Sequence, residues 1–257
     1  MSSDVHAAAH GGYAAEAGRY ASGRPSYPAA LKGWLEVELG LGPGRKVLDL
    51  GAGTGKFTAQ LVQTGAEVVA VEPVAAMREQ LGARLAGVTV LDGRAQAIPL
   101  PSQSLDAIVC AQAFHWFASV EALAEMHRVL KPGGCLGLVW NVRDESVDWM
   151  AAITALITPF EGDAPRYYKG DWRRPFEGFR GFGPLEPSSF PHAHVGPQAN
   201  VIVDRFLSVS FIATLDAASK AGVAARLQHL VEHHPALCGR ETVVAPYRTE
   251  AFAVRRC

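Results

Sequence analysis

One segment of the sequence constrains the fold more than any other. The apolar run Val47–Leu50 leads into a turn in which Gly51, Gly53 and Gly55 alternate with small residues, and a helical pattern follows. Glycine lets the backbone come close to a ligand, and a helix N-terminus presents free N–H groups. In open α/β sheets ligands bind beyond the carboxyl ends of the strands. The segment therefore predicts an α/β sheet with a ligand site at this turn.

The rest of the chain supports an α/β sheet, because apolar runs alternate with helical patterns. The predicted strands are 47–50, 67–71, 88–91, 105–110, 135–140, 188–194 and 249–255. The predicted helices are 27–39, 54–63, 74–85, 120–130, 147–157, 198–209 and 215–233. The first five strands are near-continuous apolar runs, which is typical of parallel strands buried on both faces. Strands that alternate with helices predict helices on both sides of the sheet.

Composition and charge exclude several classes of protein. The 257 residues are 49% hydrophobic and 19% charged, which indicates a chain with a sizeable core. The net charge of −1, without a basic block, predicts no nucleic-acid partner and no membrane partner. The N-terminus has no signal-peptide pattern, and the apolar runs are shorter than the roughly 18 residues of a membrane span. We therefore expect a cytoplasmic location.

Metal and nucleotide motifs are also missing. None of the four cysteines lies in a CxxC pair, and His192 and His194 share a strand face without a third ligand, so no metal site is predicted. A dinucleotide-binding turn needs a third glycine where Lys56 stands. A phosphate-binding P-loop would need glycine in place of Leu50 and serine or threonine in place of Phe57. The sequence therefore matches neither the dinucleotide-binding turn nor the P-loop, because the residues that each motif requires are absent.

The motifs do resemble those of a known family. Residues 49–58, DLGAGTGKFT, resemble motif I of class I S-adenosylmethionine-dependent methyltransferases. Glu72 follows the second strand, where the family has an acidic residue. Residues 92–106 are similar to the segment that reads GDAEALPFPDxSFD in the type 11 methyltransferase domain, and residues 128–134, RVLKPGG, to its turn before the fifth strand. Four motifs in this order are specific together, although each alone is weak.

The resemblance extends toward both ends of the chain. Residues 20–28, YASGRPSYP, resemble the RPxYP segment of a subgroup that includes trans-aconitate methyltransferase-like proteins. Residues 112–117 and 139–144 resemble the same subgroup. The organisation that follows is one methyltransferase domain over 1–257. Its predicted parts are an N-terminal arm and helix (1–40), a cofactor-binding core (41–144), a cap or insertion (145–215) and a C-terminal helix and strand (216–257).

The resemblance implies a Rossmann-like sheet of seven strands, mostly parallel with the last strand antiparallel, and S-adenosylmethionine as cofactor. Glu72 would accept hydrogen bonds from the ribose hydroxyls. Arg94 stands where the family often has an aspartate for the adenine, and it cannot accept a hydrogen bond. We expect the backbone N–H of Ala95 and packing by Ile98 to take that place. The residues implied to bind the cofactor are Tyr20, Arg24, Asp49, Gly51, Ala52, Gly53, Glu72, Pro73, Met77, Arg94, Ala95, Gln112 and His115.

Three of these roles have an alternative. Asp49 either contacts the amino group of the cofactor through water or braces the glycine turn. Arg24 either clamps the methionine carboxylate of the cofactor or belongs to a solvated arm. His115 is the one candidate catalytic residue, as a general base, and otherwise it belongs to a packed aromatic cluster with its neighbours.

The predicted function is methyl transfer from S-adenosylmethionine to a small-molecule acceptor by in-line displacement, with the acceptor atom (O, N, S or C) left open. One alternative is a cofactor-binding protein without transferase activity, and a second is a nucleotide-dependent oxidoreductase. A macromolecular methyltransferase would require a basic surface patch. The aromatic and arginine residues of 160–182 suit either a lid or a dimer surface, and the chain is expected to be a monomer or a homodimer.

Overall fold

The computed structural model describes residues 23–257, and a seven-stranded sheet organises them. The strands are β1 (Lys46–Leu50), β2 (Glu67–Val71), β3 (Thr89–Leu91), β4 (Leu105–Ala111), β5 (Leu130–Arg143), β6 (Glu186–Pro197) and β7 (Thr242–Arg255). Their order across the sheet is β3-β2-β1-β4-β5-β7-β6. β1 pairs in parallel with β2 and β4, and the β2–β3 and β4–β5 pairs are also parallel. The sheet is mostly parallel with its last strand antiparallel, which confirms the predicted fold class.

Helices connect the strands. The α-helices are α1 (Ala30–Val37), α2 (Thr58–Val62), α3 (Ala75–Arg84), α4 (Val120–Val129), α5 (Asp148–Ile157), α6 (Arg174–Gly178), α7 (Arg205–Leu207), α8 (Ser210–Ala213) and α9 (Ala217–His233). Short 3-10 helices cover Phe114–Trp116, Thr158–Phe160, Tyr167–Lys169 and Asp171–Arg173, and a π-helix covers Ala199–Asp204. Ser119 caps α4 by accepting the Ala122 N–H, and Asp216 caps α9 by accepting the Ser219 N–H. None of the helices within 23–257 is both long and apolar enough to cross a membrane.

Contacts divide the chain into two compact units. The first unit comprises residues 1–26, 141–164 and 191–248, of which the structure describes those from 23 onward. The second unit comprises residues 27–140, 165–190 and 249–257. The single domain and its boundaries at 40, 144 and 215 stay a prediction.

Each unit has its own apolar core. In the second unit, Trp34 and Leu35 of α1 pack with Val47 of β1 and Val109 of β4, so an amphipathic helix covers one face of the parallel strands. In the first unit, α5, α7, α8 and α9 bury their apolar residues together. The core residues of the first unit include Trp149, Met150, Ile153, Ile202, Phe206, Ile212, Val223 and Leu227.

The main departures from the predicted elements lie after residue 130. β5 begins at Leu130, although Pro132 and Gly133 predict a turn there, because Leu130 already pairs with Leu105 across a register irregularity. The predicted helix 198–209 is a π-helix followed by α7, and α8 was not predicted. β7 begins at Thr242, well before the predicted residue 249. The predicted arm at 1–18 lies outside the described residues.

Candidate active site

The glycine turn follows β1 in the second unit, and backbone geometry explains its glycines. Gly51 has a φ of 76° and Gly53 a φ of 57°, in the left-handed region that favours glycine. The Gly51 N–H donates to the Val71 carbonyl at 2.8 Å, which ties the turn to the end of β2. A Cβ on Gly51 would lie 2.8 Å from the Cβ of Ala113, so this position has no room for a side chain.

Glu72 holds the same turn from the end of β2. Its Oε2 accepts the Gly53 N–H at 2.9 Å, and its Oε1 accepts the Val74 N–H at 3.0 Å. The side chain is buried, and burial raises the pKa of Glu72, while the Val74 and Gly53 N–H groups and Arg78 oppose the shift. Each carboxylate oxygen has a second lone-pair direction, so Glu72 can accept two hydroxyl donors without giving up these bonds.

Asp49 lies near the end of β1 and is completely buried. Its Oδ2 accepts the Thr58 hydroxyl at 2.6 Å, whereas its Oδ1 has no hydrogen-bond partner among the residues described. Burial raises the pKa of Asp49 to about 7, the Thr58 hydrogen bond opposes this, and the charge of Glu72 adds to it. A buried acceptor without a partner is unusual in a folded protein and indicates a ligand or water at that oxygen.

Asp49 and Glu72 together define what this site favours. Two buried carboxyl groups at the ends of neighbouring parallel strands favour a ligand that carries positive charge and hydroxyl or amine donors. They disfavour the pyrophosphate of a dinucleotide, which would add negative charge beside them. The donor-poor, acceptor-rich chemistry of this site therefore fits a ribose and an ammonium group.

Other predicted residues lie around the same turn. Gln112 follows β4 with a φ of 57°, a conformation uncommon for residues other than glycine and often found at functional sites. Met77 is buried, and its sulfur would lie 3.8 Å from a Cβ on Gly53, so it faces the turn. Ala52 is buried and Pro73 is half-buried. The structure thus brings Asp49, Gly51, Gly53, Glu72 and Met77 together.

The loop after β3 carries the predicted adenine contacts. Ala95 and Ile98 are both buried, and Arg94 forms an isolated antiparallel bridge with Ala97. The Ala97 N–H donates to the Arg94 carbonyl at 3.0 Å, which makes the loop a tight turn. Ala95 and Ile98 therefore belong to a formed loop, and their contacts with adenine stay a prediction.

Two charged residues of α4 hold this loop. The sequence did not predict this role. Glu125 accepts the Ile98 N–H at 2.9 Å. Arg128 donates to the carbonyls of Ile98 and Leu100, each at 2.9 Å, and to Glu125 at 2.7 Å. Arg128 stands in the RVLKPGG motif, but only the folded chain shows that it reaches a loop about thirty residues earlier. Glu125 and Arg128 therefore position the loop.

Replacing Arg128 with methionine is expected to loosen residues 93–101, because three charge-assisted donors to this loop and Glu125 are lost. We expect the amide of Ile98 to exchange with solvent at least tenfold faster and the free energy of unfolding to fall by about 2 kcal/mol. Hydrogen exchange followed by mass spectrometry measures the first effect and urea denaturation the second. Arg45→Met serves as the control; it removes a pair with Asp106 in which the arginine side chain is 56% exposed, and it is expected to cost under about 1 kcal/mol. Unchanged exchange at Ile98 would contradict this role.

His115 belongs to an aromatic cluster in the second unit. The Trp140 indole N–H donates to His115 Nδ1 at 3.1 Å, and the His115 ring lies 5.1 Å from that of Trp116. In neutral imidazole one nitrogen accepts and the other donates, so this bond occupies the lone pair that a general base needs. The geometry favours the packed-cluster alternative, and the catalytic role of His115 stays a prediction.

The aromatic segment 160–182 is partly a core and not simply a lid or a surface. Trp172 is only 2% exposed and packs 4.7 Å from Trp140 and 5.1 Å from Phe252, measured between ring centroids. The guanidinium of Arg173 lies 4.1 Å from the Trp172 ring. Tyr168, by contrast, is 58% exposed. Trp172 therefore belongs to an apolar core, and the lid and the dimer surface both stay predictions for the segment.

The remaining predicted residues lie elsewhere. Tyr20 is outside the described residues. Arg24 belongs to the first unit, where its Nη2 donates to the Ser208 carbonyl at 3.2 Å. His192 Nε2 lies 2.8 Å from the Ser26 carbonyl. Across 23–257, no group of three or more His, Cys, Asp or Glu residues has the arrangement of a metal site.

Known proteins share this fold and these motifs. The fold and the motifs together define a class I methyltransferase. The family model of the type 11 methyltransferase domain matches residues 48–138. The chain is 35% identical over 237 residues to an uncharacterized methyltransferase-like protein of Schizosaccharomyces pombe, with 91% of each chain covered. It is 39% identical over 232 residues to an uncharacterized methyltransferase of Mycobacterium tuberculosis, with 90% of each covered.

A solved structure from Anaeromyxobacter dehalogenans, assigned as a type II methyltransferase, superposes with a TM-score of 0.59 at 26% identity. The match covers 90% of this chain and 96% of that one. The chain belongs to the methyltransferase family of these relatives.

Proposed function

We propose that this methyltransferase takes its methyl group from S-adenosylmethionine and transfers it to a small-molecule acceptor. The observation that carries the proposal is Glu72, a buried carboxylate at the end of β2 that also holds the Gly53 N–H. Glu72 would accept the two ribose hydroxyls through its remaining lone pairs. Asp49 Oδ1 has no partner within the described part of the chain. It would accept a hydrogen bond from the ammonium group of the methionine moiety, directly or through water.

The chemistry of the cofactor agrees with the charge of the site. S-adenosylmethionine carries a positive sulfonium and an ammonium group, both favoured beside Asp49 and Glu72. When bound, it supplies a methyl group on a sulfur that is already a good leaving group. The protein then has to align the acceptor with the carbon–sulfur bond and exclude water. The net charge of −1 without a basic block supports a small acceptor over a nucleic acid.

Replacing Glu72 with alanine is expected to weaken binding of S-adenosylmethionine and S-adenosylhomocysteine by 10- to 100-fold. This is the effect of losing one hydrogen bond to a charged acceptor, at about 1.5–3 kcal/mol. Isothermal titration calorimetry on the folded protein measures it, with wild-type affinity expected in the micromolar range. NAD serves as a ligand control and is expected not to bind.

Two further variants separate the ligand contact from the support of the turn. Glu79→Ala makes the same change on an exposed position of α3 and is expected to leave the affinity unchanged. Glu72→Gln keeps the shape and one acceptor oxygen, so it is expected to weaken binding less than Glu72→Ala. Wild-type protein that binds neither sulfur compound would overturn the proposed cofactor. Binding without methyl release to any acceptor in a metabolite screen would favour the cofactor-binding protein without transferase activity.

A further inference from the structure

A buried arginine in the first unit lacks the partners that buried charges have in folded proteins. Arg205 opens helix α7 and is 8% exposed. Its Nε and Nη1 are buried and have no hydrogen-bond partner among residues 23–257. Folded proteins nearly always pair a buried charge and hydrogen-bond it. Arg205 therefore presents two donors for which the described protein offers no acceptor.

The charged groups nearest to Arg205 carry the same sign. Burial, together with the charges of Arg24 and Arg143, lowers the pKa of Arg205 to about 10, and Tyr247 opposes the shift. The Tyr247 hydroxyl is itself buried and has no hydrogen-bond partner among the described residues. Arg205 remains positively charged at neutral pH, in a cluster of three guanidinium groups.

One carboxylate lies near this cluster. Arg143 Nε is 3.8 Å from Glu145 Oε1, and the Glu145 side chain is 49% exposed. An exposed pair at this distance contributes little in water. Both Arg143 and Arg205 lie close to the ring of Phe206, at 5.7 and 5.3 Å from its centroid. The Phe206 ring therefore lies close to two guanidinium groups.

The local backbone explains how the cluster forms. A Cβ on Gly23 would lie 3.0 Å from the Arg205 nitrogen and 3.1 Å from its Cα, so glycine allows the segment that carries Arg24 to approach. The π-helix Ala199–Asp204 leads directly into Arg205. Such helices are rare and are frequently found at functional sites. Two unusual local structures therefore meet at this one residue.

We propose that Arg205, together with Arg24, Arg143 and Tyr247, binds a small oxyanion, a carboxylate or phosphate group. Such a group supplies acceptor oxygens for the two unpartnered donors of Arg205, and a guanidinium binds it through two parallel hydrogen bonds. The oxyanion belongs to a small molecule that binds within the first unit. The site itself does not depend on the proposed methyltransferase reaction.

The first test measures binding of inorganic phosphate and of succinate to the wild-type protein, by thermal unfolding and calorimetry. Sodium chloride at matched ionic strength is the control. We expect either oxyanion to raise the melting temperature by several degrees and chloride to leave it unchanged. Absence of any shift with both oxyanions would overturn the proposal without the need of a variant.

The second test uses Arg205→Met, with Arg226→Met as the matched control. Arg226 is an exposed arginine of the first unit that lies 5.6 Å from the Phe160 ring, so its loss removes a similar side chain outside the cluster. Arg205→Met is expected to weaken oxyanion binding at least tenfold. Without added anion it is expected to melt no lower than the wild type, because methionine leaves no unpaired buried charge. A variant that melts lower but binds the anions unchanged would show a structural role only. Should Arg205→Met not fold, Arg143→Met gives the same readout.

A third comparison separates this site from the proposed cofactor site. We expect phosphate to bind with the same affinity in the absence and in the presence of saturating S-adenosylhomocysteine. Competition between the two compounds would overturn a separate oxyanion site. A protein that binds phosphate but not S-adenosylhomocysteine would keep this site and overturn the proposed cofactor.

Discussion

Replacing Asp49 with asparagine is expected to make the protein more stable at pH 8 and to remove much of its pH dependence between pH 5 and 8. The pKa of Asp49 is about 7 in the folded protein and 3.8 when unperturbed, so the folded state holds a proton that the unfolded state has released. The stability that this proton gives is fully present below pH 4 and is lost as the pH rises through 7. At about 1.4 kcal/mol per pKa unit, the loss is roughly 4 kcal/mol at most.

Urea denaturation at a series of pH values without cofactor measures this effect. We expect the free energy of unfolding of the wild type to fall from pH 5 to 8 more steeply than that of Asp49→Asn, with the variant higher by about 2–4 kcal/mol at pH 8. Parallel curves for the two proteins would contradict the raised pKa.

Asp106→Asn provides a control of opposite sign. Partial burial raises the pKa of Asp106, but the Lys46 N–H, Lys131 and Arg45 outweigh it and hold the pKa below its ordinary value. The stabilisation by Asp106 is therefore present above its ordinary pKa of 3.8 and is lost only as the pH falls through the lower folded value. Between pH 5 and 8 this variant is expected to lose stability by a constant amount without a change of slope.

The second large effect is expected for Gly51→Ala, which should reduce the free energy of unfolding by about 2–5 kcal/mol. A left-handed conformation costs an alanine about 1–2 kcal/mol, and overpacking costs a further 1–3 kcal/mol or so. The overpacking arises because the new Cβ would lie 2.8 Å from the Cβ of Ala113, an atom that cannot rotate away. Denaturant unfolding measures the total loss.

Gly133→Ala separates the two causes. Gly133 has a φ of 74°, close to the 76° of Gly51, but its Cβ would meet no heavy atom within 4 Å. Its loss is therefore expected to be about 1–2 kcal/mol, from the backbone conformation alone. Adding Ala113→Gly to Gly51→Ala should recover part of the difference, since the double variant removes the clashing atom. Equal losses at both glycines would show that Ala113 is not the obstacle.

The elements predicted correctly from the sequence are those whose signal is local. β1, the glycine turn and the β2 strand before Glu72 are set by a run of apolar residues and the glycines that follow it. The start of β7 was missed because Pro246 argues against a strand interior. The alternation of buried residues Val243, Ala245 and Tyr247 carries the period-two signal that would have found it.

The features that could not be predicted depend on contacts between distant residues. Arg128 reaches the Ile98 carbonyl, and Arg205 meets Arg24 and Arg143, only after the chain has folded. An apolar pattern does not distinguish a π-helix from an α-helix, so Ala199–Asp204 was predicted as an ordinary helix. The sequence therefore predicts the acidic residues of the candidate site better than the side chains that support them.

The two hydrogen bonds of Glu72 also limit how this site can change during evolution. One oxygen holds the Gly53 N–H and the other the Val74 N–H, so the side chain spans two backbone segments. Aspartate is one methylene shorter than glutamate, so Glu72→Asp would move the carboxylate away from Gly53. A shorter acid at position 72 would need a compensating change in the glycine turn, so residues 51–55 and 72 are expected to vary together.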